Sequence, residues 1–178
     1  MSAICLLRIG ELELPLLNHL RTHLAQVFQI PVVLSSQSLD PVFSFHPERH
    51  QYHATELLAR LAQVENPEAW RVLGITAADL YIPILTFVFG EAQLGGRCAI
   101  VSLHRLRQEF YGLPPDRPLL EARLLKEALH ELGHTLGLVH CDDYRCAMSP
   151  SHSVEWIDVK EARFCPRCLS RMLAPNVG

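Results

Sequence analysis

Apolar and polar positions along the first part of the chain change from strand to helix periodicity and back. Ala3–Ile9 is an apolar run, interrupted only by Arg8, that ends at Gly10, as expected of a buried strand. Over Leu14–Phe28, leucines recur at helical spacing between polar residues, which indicates an amphipathic helix. The β-branched residues 30–34 then predict a second strand. Because strand–helix–strand units cross over right-handed, we expect the two strands to pair in parallel.

The middle of the chain predicts one long loop followed by further regular elements. Residues 35–53 contain Ser, Pro and His without periodicity and are predicted to form the loop. The pattern then predicts a helix over residues 55–64 and strands over residues 70–75, 86–91 and 98–103. The Gly95-Gly96 pair indicates the turn between the last two strands.

The longest predicted helix begins after Asp116, a capping residue type, and Pro118, which is favoured in a first turn. It is predicted to continue through Leu136. Four leucines form its core side: Leu125, Leu129, Leu132 and Leu136. We expect His130 and His134 to face away from these leucines. After Gly137 the periodicity ends and the spacings become short, so this segment has too little apolar surface to order itself and is predicted to be held by metal.

Length and composition limit the class of protein. With 178 residues, 49% of them hydrophobic, the chain is expected to form a single domain over residues 1–178. The formal net charge is −3 and basic residues do not cluster, so neither nucleic acid nor an anionic membrane is an expected partner. The apolar residues 80–90 contain Pro83 and are too few to span a bilayer, which takes about 20 residues. The first residues lack a basic segment and Arg8 interrupts their apolar run, which predicts a cytoplasmic protein without a signal peptide.

The residues from His130 to His140 have the spacing of a catalytic metal site. Positions four apart lie about 40° apart around a helix, so His130 and His134 can bind one metal ion. Glu131 is close enough to hydrogen-bond a water on that metal without being a ligand, which predicts a general base. Gly137 tolerates the left-handed turn that ends a helix. His140 follows this turn and is the predicted third ligand.

The three ligands predict hydrolytic chemistry. Neutral imidazoles leave both charges of a zinc ion uncompensated, and the pKa of a water in the fourth position then falls far below that of bulk water, to about 7. A hydroxide nucleophile is therefore available at neutral pH, and Glu131 is placed to accept the proton that the water loses.

Four cysteines in the last 40 residues predict a second metal site, since clustered cysteines in a reducing compartment are more often ligands than disulfides. They form two pairs: Cys141 with Cys146, and Cys165 with Cys168. Four thiolates leave no open position on zinc, so this site is expected to be structural and, through Cys141, to fix the adjacent His140. Two disulfides are the alternative. Cys5 and Cys98 lie in apolar runs and are expected to be buried hydrophobes.

Residues 130–140 resemble the metzincin zinc-peptidase signature, and Met148 is similar to the methionine of the Met-turn beneath the metal. The intervals between Met148 and the four clustered cysteines resemble the archaemetzincins in particular, and the similarity extends over residues 70–168. This resemblance implies an α/β (α+β) fold with a twisted mixed sheet, helices and a long active-site helix in an N-terminal lobe (residues 1–137). A small zinc-bound C-terminal lobe (residues 138–178) would follow.

The resemblance also implies a substrate site. In metzincins an antiparallel edge strand pairs with an extended peptide substrate, a mode of binding in which the peptide completes an unpaired sheet edge. By position, that strand would contain Thr86, Phe87, Val88, Phe89, Gly90 and Glu91.

The sequence therefore predicts a zinc-dependent metallopeptidase with two zinc ions per chain, one catalytic and one structural. A zinc-stabilised module that binds a peptide or metabolite without turnover is one alternative, although Glu131 would then have no purpose. A hydrolase of another amide or ester would use the same residues. Aminopeptidase and endopeptidase activities both stay open, and a monomer is the default expectation.

Overall fold

The structure is a computed structural model that describes residues 2–172. Its strands are β1 (Ala3–Ile9), β2 (Val32–Leu39), β3 (Phe45–His46), β4 (Gln51–His53), β5 (Ala69–Thr76), β6 (Leu80–Tyr81), β7 (Gly90–Ala92) and β8 (Cys98–Ser102). Its helices are α1 (Leu14–Phe28), α2 (Ala54–Ala62), α3 (Arg117–Thr135), α4 (Val154–Val159) and α5 (Pro166–Arg171). Short 3-10 helices span Pro41–Ser44 and Gln108–Tyr111.

The main sheet has the strand order β2, β1, β5, β8, β7. The parallel pairing predicted for the first two strands is confirmed, and β5 and β8 continue the parallel arrangement. β7 is antiparallel to β8 and lies at the edge of the sheet. Leucines of α1 and α3 pack on one face of the sheet, and leucines of α2 pack on the other. The mixed α/β fold is the one that the sequence predicts.

The predicted loop over residues 35–53 is wrong in part, because it contains regular structure. β2 continues to Leu39, which pairs with Ile9 of β1. β2 is an edge strand, and its polar residues 35–38 are partly or fully exposed, so its second half lacks the apolar pattern of a buried strand. The chain then forms β3 and β4, which join β6 in a small three-stranded sheet.

The predicted strand over residues 86–91 is also shorter in the structure. The strand β7 begins at Gly90. Before it, Val88 makes an isolated bridge to Leu80, and the Phe89 carbonyl accepts one hydrogen bond from Ser102 of β8. The Thr86 carbonyl instead accepts hydrogen bonds from Arg49, at 3.2 Å, and from Gln51, at 2.9 Å. These two side chains therefore occupy the carbonyl oxygen that Thr86 would need to pair with a neighbouring strand.

α3 begins as predicted, since the Asp116 side chain accepts a hydrogen bond from the backbone N–H of Leu119 at 3.0 Å. Its leucines are buried as expected, and His130 is buried as well. The reason is that residues after Gly137 fold back over the histidine side of the helix. Over residues 2–172, no helix is both long and apolar enough to cross a membrane.

Candidate metal centre and active-site cleft

Three imidazoles converge at the C-terminal end of α3. The Nε2 atoms of His130 and His134 lie 3.1 Å apart. The ring of His140 approaches both, with centroid distances of 5.2 Å to His130 and 5.1 Å to His134. One ring nitrogen from each histidine lies within 4.8 Å of the others. The three rings therefore present nitrogen donors to one point, as a metal site requires.

The turn at Gly137 brings His140 back to the helix. Gly137 has φ +84° and its N–H donates to the carbonyl of His134 at 3.0 Å. The next N–H, of Leu138, donates to the carbonyl of Gly133 at 3.0 Å. This pair of bonds is the Schellman ending, which needs a residue in the left-handed region and therefore favours glycine.

Backbone carbonyls orient the two helical histidines. Nδ1 of His130 lies 2.7 Å from the carbonyl of Ala147, and Nδ1 of His134 lies 2.8 Å from that of Leu138. Since a carbonyl only accepts, each Nδ1 carries the proton and each Nε2 presents its lone pair to the shared point. Burial lowers the pKa of His130 well below its usual range, and the charge of Lys160 lowers it further. The rings are therefore neutral near pH 7, which suits metal ligands.

The Glu131 carboxylate lies beside the edge strand. It is 5% exposed, and a Cβ added to Gly90 of β7 would lie 2.9 Å from its Oε1 atom. No hydrogen bond joins this carboxylate to another side chain or backbone group of residues 2–172. Burial raises the pKa of Glu131 well above its usual range, and the carboxylate of Glu127 contributes to the rise. Glu131 is thus a buried carboxylate of raised basicity that faces the cleft.

A cleft of about 760 Å³ runs past the histidines and Glu131. The segment leading into β7 forms one wall, and residues 150–152 form the other. The six predicted substrate-binding residues all line it: Thr86, Phe87, Val88, Phe89, Gly90 and Glu91. Glu127, one helical turn before Glu131, also faces this space.

The four clustered cysteines form a second group of donors. Sγ of Cys141 lies 3.7 Å from Sγ of Cys165, and Sγ of Cys146 lies 3.7 Å from Sγ of Cys168. All four thiols are free and buried. Sulfur atoms about 2.3 Å from a tetrahedral zinc are separated by about 3.8 Å, whereas a disulfide bond is about 2.05 Å long. The spacing fits a tetrahedral metal and not two disulfides.

The cysteine group is connected to the histidines through the backbone. The N–H of Cys141 donates to the carbonyl of Met148 at 2.9 Å, and the N–H of Met148 approaches Sγ of Cys146 at 3.4 Å. Ala147, between these residues, provides the carbonyl that orients His130. Met148 is fully buried. The turn that contains Met148 therefore links the two candidate metal sites.

Sequence reasoning missed several residues of this region. Glu127, Ser151 and Lys160 form a hydrogen-bonded group next to the histidines. Lys160 and Glu127 are 33 residues apart, and no short motif joins them. Glu127 alone had a signal, because it precedes Glu131 by four residues on the same helical face.

The mixed sheet with its antiparallel edge strand, the helix with two of three converging histidines and the buried methionine turn define a metzincin-like zinc metallopeptidase. The chain belongs to the archaemetzincin family, since the sequence model of peptidase family M54 matches residues 18–173. The archaemetzincin of Methanocaldococcus jannaschii is 42% identical over 169 residues, which cover 95% of this chain and 92% of the relative. The resemblance that the motif indicated is confirmed.

Solved structures agree with this assignment. The crystal structure of archaemetzincin from Methanopyrus kandleri has a TM-score of 0.82 and 36% identity, covering 96% of this chain and 93% of that chain. The zinc-dependent peptidase of Methanocorpusculum labreanum has a TM-score of 0.86 and 32% identity, with coverage of 96% and 100%. The protein is therefore a zinc metallopeptidase.

Proposed function

We propose that this chain hydrolyses peptide bonds with Glu131 as the general base, at a zinc ion held by His130, His134 and His140. The observation that carries the proposal is the position of the Glu131 carboxylate. It lines the same cleft as the three converging imidazoles and lies against Gly90, and no hydrogen bond joins it to another group of residues 2–172. A buried carboxylate of raised pKa is suited to accept and return a proton near neutral pH.

The metal ion and the protein side chains have different roles in the reaction. Zinc at this centre would make a water molecule more acidic and polarise the substrate carbonyl. Glu131 accepts the proton that the water loses as its oxygen attacks the carbonyl carbon. Glu131 then delivers this proton to the amide nitrogen, and the carbon–nitrogen bond breaks to release the amine. His130 and His134 stay oriented throughout by their carbonyl partners.

The edge strand supports a peptide substrate. The Phe89 carbonyl accepts a hydrogen bond from Ser102 at 2.8 Å, and the Gln93 N–H donates to Cys98 at 3.0 Å. Because bonding to the neighbour alternates along an antiparallel strand, the backbone groups of Gly90 and Ala92 face the open edge. An extended peptide that adds to this edge would place a carbonyl close to Glu131. We therefore assign residues 86–91 to substrate binding.

We assign a second, structural zinc ion to Cys141, Cys146, Cys165 and Cys168, which gives two zinc ions per chain. The tetrahedral spacing of the sulfur atoms supports this assignment. We infer that the chain is one catalytic domain, whose lobe from residue 138 onward is held by the cysteine site; of the expected bounds 138–178, residues 173–178 lie outside the described residues. That lobe supplies both His140 and the carbonyl that orients His130.

The test compares cleavage of a mixed peptide library by zinc-loaded wild-type protein and by Glu131→Gln. The variant is expected to bind zinc normally and to lose cleavage by several orders of magnitude. Glu68→Gln, an exposed residue outside the cleft, serves as the matched control and should cleave normally. Cleavage by Glu131→Gln at the wild-type rate would disprove the role of Glu131. Peptides with blocked N-termini in the same library would distinguish an aminopeptidase from an endopeptidase.

A further inference from the structure

A buried ion pair lies next to the histidine centre. Nζ of Lys160 is 3.3 Å from Oε1 of Glu127, and the two side chains are 0% and 2% exposed. The ammonium has two further acceptors, Oγ of Ser151 at 2.6 Å and the carbonyl of Ala147 at 3.3 Å. An ammonium group has three donors, so all of its hydrogen-bonding capacity is used. Ser151 in turn donates to Oε1 of Glu127 at 2.8 Å.

The ammonium connects three separate segments of the chain. Glu127 belongs to α3, Ala147 to the turn beneath the histidines, and Ser151 to the wall of the cleft. The carbonyl of Ala147 is the same group that accepts the Nδ1–H of His130, at 2.7 Å. Lys160 and His130 therefore donate to the same carbonyl oxygen, and this oxygen sets the orientation of the His130 ring.

We propose that Lys160, with its charge balanced by Glu127, is a positioning residue that holds the Ala147 carbonyl in place and thereby orients His130 for metal binding. This proposal rests on the proposed role of His130 as a zinc ligand. Groups that hold a metal ligand through its outer nitrogen typically contribute 10- to 100-fold to metal affinity or activity.

The competing explanation is that the pair only stabilises the fold. Buried ion pairs can often be replaced by apolar residues of similar volume without loss of stability, whereas removal of one partner leaves an uncompensated charge. The double variant Lys160→Met/Glu127→Leu therefore separates the two roles. It removes both charges together, so the net charge near the metal is unchanged, while the hold on Ala147 and the two hydrogen bonds of Ser151 are lost.

A second ion pair, which joins α3 to α4, provides the control. Arg123 of α3 binds Asp158 of α4 at 2.7 Å, and the Arg123 side chain is 4% exposed. Its remaining bonds are to Leu106 and Gln108 and not to the turn that contains Ala147. The control variant Arg123→Met/Asp158→Asn thus removes an ion pair with a buried arginine and a partly exposed aspartate, without touching the carbonyl partner of His130.

Metal titration can resolve the two sites. Cobalt(II) substituted at the cysteine site gives thiolate-to-metal charge-transfer absorption, which the histidine site lacks, and zinc competition then gives the affinity of each. In Lys160→Met/Glu127→Leu we expect the zinc affinity of the histidine site to fall 10- to 100-fold. The cysteine site and the thermal midpoint should stay close to wild type, and the Arg123 control should keep its histidine-site affinity.

Wild-type zinc affinity in the folded double variant, or an equal loss in the Arg123 control, would overturn the positioning role. If the double variant does not fold, Lys160→Met/Glu127→Gln offers a second neutral pair in which residue 160 still lacks a hydrogen-bond donor. Wild-type zinc affinity in this variant, or an equal loss in the Arg123 control, would again overturn the positioning role. The variant His130→Ala separates the positioning role of Lys160 from the proposal that His130 is a zinc ligand. Full zinc affinity in His130→Ala would refute the ligand assignment, whereas a loss there with none in the double variant would refute only the role of Lys160.

Discussion

Gly133 and Met148 are in direct packing contact, because the absence of a side chain on the helix lets the methionine approach it. A Cβ added to Gly133 would overlap Sδ of Met148 and lie 3.1 Å from the ring of Phe164. Gly133 is one residue before His134, and Met148 is one residue after Ala147, whose carbonyl orients His130. The close approach therefore sets the distance between the active-site helix and the turn beneath the histidines.

Replacement of Gly133 by alanine should disturb this approach. Overpacking of a buried contact costs about 1–3 kcal/mol, and the better helix propensity of alanine offsets at most about 1 kcal/mol of it. We expect a lower thermal midpoint together with weaker zinc binding at the histidine centre. Adding Met148→Ala to Gly133→Ala removes the overlapping sulfur, so a double-mutant cycle should show a favourable coupling. Strictly additive changes in the free energy of unfolding for the two substitutions would contradict this contact.

Gly90→Ala should impair turnover more than it impairs zinc binding. The new Cβ would overlap the Ile100 carbonyl oxygen and lie 2.8 Å from Cγ of Glu131, so Glu131, the proposed base, must shift. We expect a large fall in kcat with zinc content preserved. Gly95→Asn, in the turn after β7, is the matched control, since nothing lies within 4 Å of its added Cβ and asparagine tolerates the local φ of +67°. Normal kcat in Gly90→Ala would show that Glu131 acts from another position.

The histidine motif was predictable because its geometry is local. A helix fixes the relation of His130 to His134, and one glycine turn fixes His140, so eleven consecutive residues determine most of the centre. The shortened β7 was not predictable, because the Thr86 carbonyl is taken by Arg49, 37 residues away in the chain. The same holds for Lys160, whose partners become neighbours only in the folded chain.

The cysteine site should be tested by Cys165→Ser. We expect bound zinc to fall by one ion per chain and the C-terminal segment to lose stability, because the binding energy of a structural zinc is folding energy. Cys98→Ala is the matched control, since this thiol is also buried but lies in β8, outside the cluster. It should lower stability without changing the zinc content. An unchanged zinc content in Cys165→Ser would contradict the assignment.

Chelation should remove the two proposed zinc ions one after the other. The histidine centre opens into the cleft and its His140 ring is exposed, whereas the four cysteines are buried. We therefore expect a chelator to abolish peptide cleavage after loss of the first ion, with only a small change in the thermal midpoint. Loss of the second ion should lower the midpoint strongly, since the binding energy of a structural zinc is folding energy. Zinc content, cleavage rate and unfolding followed on the same samples would reveal this order, and simultaneous loss of both ions with unfolding would contradict it.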